Sequence, residues 1–365
     1  MNSDELIYQI AITFLPKVGP VTAKNLISYC GGSREVFESS KNQLLKIPGV
    51  GPTLTQSILA KEVLELAERE IHFISSNNIK PLFFLDEEYP KRLLNIYDSP
   101  IMLYFKGEAN LNAPRTVGIV GTRTPTPQGI SNCESLVEKL KQYDVQIISG
   151  LAYGIDGTSH RSAVSNGISN IGVVAHGLDR IYPADHKALA QSMMKHGGII
   201  SEFPSNTEAD KERFPMRNRI IAGMSDALIV VETAQSGGSM ISADMAFNYN
   251  KDVFAFPGRV QDKYSQGCNL LIKRQKAGLI ENAEDLALQM MWDKLDEEKS
   301  IQTSLFVELN DNEKRILTEL QSKETGIDEL SFLLQLTPSE MASMLLEMEF
   351  KGLIRSIPGK RYVLA

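Results

Sequence analysis

The stretch Thr116-Val117-Gly118-Ile119-Val120-Gly121-Thr122-Arg123 decides the fold: an apolar strand runs straight into a small-residue loop that ends in arginine. Its apolar residues do not alternate with polar ones, as expected when both faces of a sheet are covered. The same texture returns at residues 145–149, 170–174, 198–201, 227–232 and 253–256. Between most of these lie helical stretches, at residues 130–143, 158–166, 187–196 and 239–250. Strands alternating with helices at this spacing predict βαβ units and a parallel sheet. The expected fold class is α/β, a Rossmann-like, mainly parallel sheet with helices on both faces.

Working outward from the strands, the residues with binding chemistry collect at their carboxyl ends. Gly121-Thr122-Arg123-Thr124 follows the first strand, and Ser149-Gly150-Leu151-Ala152-Tyr153-Gly154-Ile155-Asp156-Gly157 spans the end of the second. Ser236-Gly237-Gly238-Ser239 and Pro257-Gly258-Arg259 follow the fifth and sixth. Open α/β sheets bind ligands in the crevice outside those ends. Small residues leave backbone N–H groups free to approach phosphate oxygens, and the next helix presents its positive end. Arg123 supplies charge there, as do Arg217-Asn218-Arg219, which follow Phe214-Pro215 and open the helix before the fifth strand. A guanidinium clamps phosphate in two-pronged fashion or stacks on a base. An isolated pair of this kind reads as ordinary surface ion pairing, but the neighbouring glycine loops favour a polyanion or nucleotide.

The composition fits this reading with one tension. With 365 residues, 42 % hydrophobic and 23 % charged, the chain suits a soluble protein of two or three domains. No signal peptide is recognised at the start, and no run approaches the ~20 apolar residues of a membrane span. Cys30, Cys133 and Cys268 lie far apart without a CxxC. That argues for a reducing cytoplasm and against disulfides or zinc. His176, His186 and His196 lack metal-ligand spacing. The net charge of −7 means that any footprint for a nucleic acid must be local.

Three textures divide the chain. Residues 1–75 read as a helical, helix-hairpin-helix (SAM-like) domain. Its second hairpin is Ile47-Pro48-Gly49-Val50-Gly51-Pro52-Thr53 with a helix over 54–66; an earlier copy is Leu15-Pro16-Lys17-Val18-Gly19-Pro20 with a helix over 21–29. Residues 76–295 form the Rossmann-like domain and 296–308 a polar, acidic linker. Residues 309–365 read as a winged helix, with helices over 312–321, 327–334 and 338–351 and wing strands around Pro358-Gly359-Lys360-Arg361. Its last helix carries Glu340, Glu347 and Glu349 against Lys351. Like charge opposes phosphate, so a protein contact, or a wing-only DNA contact through Lys360 and Arg361, is expected.

Catalysis is not the favoured expectation. Gly118-Ile119-Val120-Gly121-Thr122-Arg123 is not GxGxxG, and the second strand ends in Ser149-Gly150 without the acidic ribose reader of a dinucleotide fold. No GxxxxGK[ST] occurs. Asp156 and His160 could mimic an acid/base pair, but a helix-capping Asp and a locally bonded His are the commoner arrangement.

At this point the residues match a family. Val117 to Arg123, the run Ser149 to His160, Gly177-Leu178-Asp179 with Tyr182-Pro183, and Ser201-Glu202-Phe203-Pro204 resemble motifs of the DprA/Smf proteins. So do Phe214 to Gly223, Gly238 to Ala243, Phe254 to Gly258 and Gly267-Cys268-Asn269. Gly237, Met240 and Ser242 depart from the usual Ser, Leu and Thr. The resemblance implies a Rossmann-like homodimer that binds single-stranded DNA and delivers it to RecA, notably in natural transformation. It places Gly121, Arg123, Ser149, Gly150, Arg217, Asn218, Arg219 and Gly238 around the DNA pocket; Thr122, Gly237 and Ser239 from the same loops complete the expected site. No catalytic residue, metal, cofactor or membrane contact is expected. The alternative is a nucleotide N-glycoside hydrolase of the LOG (lysine-decarboxylase-like) family. Its motif would fall on Ser236 to Asp244, where Met240-Ile241 replaces Gly-Thr and Asp244 the catalytic Glu.

Overall fold

A computed structural model describes residues 3–294, 310–322, 324–351, 353–357 and 361–364. The chain divides into two compact units, Met1–Leu295 and Asp296–Ala365. The expected linker at 296–308 and wing residues 358–360 lie outside the described residues.

The first unit begins with six helices: α1 (Ser3–Phe14), α2 (Pro20–Cys30), α3 (Ser33–Glu38), α4 (Lys41–Leu44), α5 (Pro52–Ala60) and α6 (Val63–Ser76). The two hairpins match each other closely. Gly19 and Gly51 are extended N-caps, each followed by proline in the first helical turn. Lys17 and Gly49, two residues earlier, both take positive φ. The continuous helix expected over 54–66 is instead broken at Lys61, whose left-handed backbone ends α5. These helices share an apolar cluster with strand residues Phe83, Met102 and Tyr104. Helical region and sheet are thus packed as one body.

The sheet has nine strands in the order β1-β2-β6-β5-β4-β3-β7-β8-β9. They are β1 (Lys80–Phe83), β2 (Met102–Gly107), β3 (Arg115–Val120), β4 (Val145–Ser149), β5 (Asn170–Val173), β6 (Gly198–Ser201), β7 (Ala227–Val230), β8 (Asp252–Ala255) and β9 (Gly278–Leu279). From β6 to β9 all pairings are parallel, while β1 and β2 add an antiparallel edge. Eight helices accompany them: α7 (Lys91–Leu94), α8 (Pro127–Leu140), α9 (Ile155–Ser165), α10 (Lys187–Met193), α11 (Arg213–Met224), α12 (Gly238–Asn248), α13 (Gln266–Lys273) and α14 (Ala283–Gln289).

Side chains alternate across each strand, so one sheet feeds two cores. Val120, Ile148, Leu228 and Val230 pack against α11, α12 and α13. Val117, Ile119, Ile147 and Ile229 pack against α8, α9 and α14 on the other face. The strand order makes β3 the hinge of this winding: β4, β5 and β6 extend to one side, β7 and β8 to the other. The helix after β3 covers one face and the helix after β7 the opposite face. A crevice opens at their carboxyl ends, the switch point of a doubly wound sheet.

The second unit carries α15 (Asp311–Ser322), β10 (Thr325–Gly326), α16 (Ile327–Leu334), α17 (Pro338–Phe350), β11 (Ile354–Ile357) and β12 (Arg361–Leu364) around its own core of Ile316, Leu330, Met341 and Leu345. Helices followed by a small antiparallel sheet make this a winged helix. A Thr337–Glu340 capping box starts α17.

Ile119 is completely buried in the central strand. Ile119→Ala is expected to cost about 2–5 kcal/mol of stability. Urea denaturation of the first unit's transition checks this; a loss below about 1 kcal/mol would contradict central-strand burial.

Candidate functional site

A cleft of about 340 Å³ occupies the crevice between the β3 and β7 loops. One wall is Gly121-Thr122-Arg123, the facing wall the start of α12, and the side is closed by Lys211, Phe214, Arg217 and Asn218. Glu232, just past β7, fixes the first wall. Its carbonyl accepts the Thr122 N–H at 2.7 Å. Its nearly buried carboxylate accepts the Thr126 N–H at 2.9 Å and the Thr126 hydroxyl at 2.5 Å. Only glycine fits at 129, where a Cβ would lie 2.3 Å from that carboxyl carbon. Gly154, with φ +76°, lets the β4 loop pass beneath Thr122, whose carbonyl would lie 2.2 Å from a Cβ there.

The facing wall is the amino end of α12. Gly237 is its N-cap without a side-chain hydrogen bond, and the space before Gly238 is open. The amino end of a helix and its dipole suit an anion, with the Gly237 and Met240 N–H groups already donated to the Ala234 and Gly237 carbonyls. Ser239 is less free than its sequence suggests, since its hydroxyl donates to Thr233 Oγ1 at 2.7 Å. Tyr264 joins the two walls: its hydroxyl lies 2.6 Å from Thr124 Oγ1, and its carbonyl accepts the Thr233 N–H at 2.7 Å.

The arginines play unequal parts. Arg123 is exposed, with its guanidinium carbon 5.1 Å from the Phe214 ring centre. Arg217, its guanidinium carbon 6.0 Å from the same ring centre, is 4 % exposed and donates to the Val173 carbonyl at 2.8 Å. Burial pushes its pKa down to about 10, with nearby Asp156 opposing the shift, so it remains a cation at neutral pH. Asp156 is itself raised by burial, against the pull of Arg217. Gly150 makes room for this pair: a Cβ there would lie 1.6 Å from Arg217 Nη1. A buried charge in such a place needs its counter-charge, because desolvation of an unpaired guanidinium costs several kcal/mol.

Of the residues expected from the sequence, Gly121, Thr122, Arg123, Arg217, Asn218, Gly237, Gly238 and Ser239 come together in this cleft. Gly150 borders a small adjoining recess with Tyr153, Tyr182 and Phe214. Two residues are placed elsewhere. Ser149 is wholly buried and donates to the Ile119 carbonyl at 2.6 Å, so it stitches β4 to β3. Arg219 is ion-paired with buried Glu202 and donates to the Asp98 carbonyl at 2.6 Å. Two residues along a helix turn the side chain by about 200°, which points Arg217 and Arg219 to opposite sides. Asp156 is not the helix cap expected: Gly154 is the N-cap of α9, and Asp156 lies inside the first turn.

Lys211, Glu232 and Tyr264 were not anticipated. Lys211 sits in a polar run, and Tyr264 reaches the cleft from a loop after β8. Only the acid ending an apolar strand at Glu232 was a readable signal. Asp244, the carboxylate on which the hydrolase alternative rests, does not line the cleft and pairs with Lys276 at 2.6 Å. Among the described residues no group of three or more His, Cys, Asp or Glu could hold a metal ion, and no helix is long and apolar enough to cross a membrane.

Fold and cleft define a doubly wound α/β protein with a cleft at its switch point lined by Arg123, Lys211, Arg217 and Phe214. The family profile described as DNA recombination-mediator protein A matches residues 80–291, and the DprA winged helix domain profile matches residues 306–360. The chain is 42 % identical over 201 residues to the DNA processing protein DprA of Bacillus subtilis, covering 55 % of this chain and 67 % of that one. It is 33 % identical to DprA of Streptococcus pneumoniae over 272 residues, 69 % of this chain and 96 % of the relative. The X-ray structure of the pneumococcal protein superposes with a TM-score of 0.68 at 29 % identity, over 78 % of this chain and 97 % of that one. A Helicobacter pylori DprA structure, described for its single-stranded DNA binding mode, gives 0.53 at 29 % identity, over 58 % and 95 %. This chain belongs to the DprA/Smf family. Membership supports a role in DNA processing and recombination mediation.

Beneath the cleft floor, His160 is fully buried with Nδ1 3.0 Å from Asn170 Oδ1. Burial holds its pKa at about 4, below the ordinary 6.5. Between those values the unfolded chain takes up a proton that the folded chain refuses, so its contribution makes stability fall as pH drops from 6.5 to 4. The full effect is about 3 kcal/mol. Glu202, raised by burial from 4.5 to about 7, works in the opposite direction over an overlapping range. The test is therefore the difference between wild type and His160→Gln in urea denaturation at each pH. The variant is expected to lose less stability than wild type on acidification, and parallel curves would contradict a neutral buried His160.

Proposed function

We propose that the switch-point cleft binds single-stranded DNA without strong sequence preference. The observation that carries this is Phe214, an aromatic ring with the Arg123 and Arg217 guanidinium carbons 5.1 and 6.0 Å from its centre, in the cleft that the start of α12 also lines. Cations and helix N–H groups take the sugar-phosphate chain, while the ring offers a face to an unstacked base. A duplex presents no such base, which gives preference for single strands. The Helicobacter pylori relative described for this binding supports the reading.

On this reading the protein is a recombination mediator in the cytoplasm and not an enzyme. It protects incoming single strands and passes them to the RecA recombinase, as in natural transformation. A homodimer would align two clefts and raise avidity without new contacts. The winged helix serves a protein contact: α17 presents no Lys or Arg over Pro338–Phe350, and Leu346 and Phe350 are exposed. Arg361, in the wing, is engaged with Glu324 at 3.0 Å.

Fluorescence anisotropy with a labelled single strand and a duplex control tests the cleft. Phe214→Ala is expected to weaken single-strand binding by ~1–3 kcal/mol. Arg123→Ala should lower the salt slope of log affinity by about 0.7, the share of one phosphate on a single strand. Binding that is flat with salt, or equal for both variants and wild type, would overturn the assignment.

A further inference from the structure

One glycine-bearing loop enters the cleft only through Tyr264: residues 256–265, between β8 and α13. It is held in place at several points. Asn269 on α13 clasps Gly258, its amide donating to the Gly258 carbonyl at 2.9 Å and its Oδ1 accepting the Gly258 N–H at 3.2 Å. A Cβ at Gly258 would lie 2.1 Å from Ser265 Oγ, so the turn closes tightly. The Asp262 N–H donates to the Arg259 carbonyl at 3.1 Å, and the Ser265 N–H to the Asp262 carbonyl at 2.9 Å. Tyr264 then ties the far end to both cleft walls through Thr124 and Thr233.

This loop holds out to solvent Arg259, Val260, Gln261, Asp262 and Lys263: two cations, one acid, one amide and one apolar side chain. Arg259 and Lys263 are exposed, and neither has an ion-pair partner among the described residues. Val260, between them, is 76 % exposed. The Lys263 ammonium lies 5.5 Å from the ring centre of Tyr264, beside the cleft mouth. Asp262 is the loop's one acid, leaving it net positive in a chain of net charge −7. A fixed loop with unpaired cations next to an anion cleft suits a chain of regularly spaced phosphates more than a single small anion.

We propose that the loop after β8 is a second station for single-stranded DNA, where Arg259 and Lys263 take two phosphates of the strand leaving the cleft and Val260 meets a base or sugar. This rests on the single-strand reading of the cleft and extends its track. The station matters only for a strand long enough to reach it. Labelled thymidine oligomers of roughly four and roughly twelve nucleotides bracket that length. Each is titrated against the full chain and against Arg259→Ala/Lys263→Ala over a salt series.

The expected result is selective. The double variant binds the long strand about tenfold more weakly, its salt slope falls by about 1.4 (two phosphates at ~0.7 each), and the short strand binds as before. Long-strand affinity and slope unchanged in the variant would overturn the second station while leaving the cleft intact. Equal losses on both strands would overturn it too, since the residues would then be supporting the cleft. Failure of wild type to bind either strand would remove the cleft reading itself, and the station with it.

Discussion

Parallel pairing of β3 with β7 is the constraint on which the rest depends. Val117 to Val120 lie in register with Ala227 to Val230, yet the two strands send their following helices to opposite faces. Neither helix covers the carboxyl ends, so a crevice must open there. Glu232 turns that opening into a site. Its main chain extends the pairing by one more bond to Thr122, and its carboxylate bridges to Thr126. The β3 loop is thereby tied down next to Arg123, and the start of α12 lines the same cleft.

Charge is distributed in depth around this opening. Arg217 lies under the surface beside Asp156, where low polarity strengthens their attraction and makes loss of either partner costly. Arg123 lies at the surface, where it can move and where salt screens it. The buried pair largely offsets its own charge, while the exposed Arg123 lies where a contact can adjust. On the proposed reading, an overall acidic protein would hold a polyanion through Arg123, Lys211 and Arg217 of the cleft, while surface cations elsewhere are paired with carboxylates: Arg34 with Glu38, Lys80 with Glu88, Lys139 with Glu284.

The sequence was most legible where burial is most complete. Strands β3 to β8 are apolar on both faces and sit between helices, so their bounds could be read to within one or two residues. Strands β1, β2 and β9 could not. β1 carries Pro81 at a sheet edge, β2 pairs antiparallel without a flanking pattern, and β9 has two residues. In the site, the glycine loops announced themselves because backbone approach to an anion needs small residues. Arg219 misled: it falls away from the cleft because two positions along a helix turn a side chain to nearly the opposite side from Arg217. Ser149 misled for a related reason: a small polar residue at a strand end can serve a neighbouring carbonyl as well as a ligand. Tyr264 and Lys211 reach the cleft only through tertiary packing, which no local pattern encodes.

The central claim is that one single strand lies across the switch point with a base against Phe214. Photocrosslinking tests this most directly, using a strand that carries a halogenated pyrimidine at each position in turn, followed by mass spectrometry of the joined peptides. The account predicts crosslinks to the peptides holding Phe214 and Tyr264. Crosslinks confined to the helices of Ser3–Ser76 or to the winged helix, with none at the switch point, would contradict it.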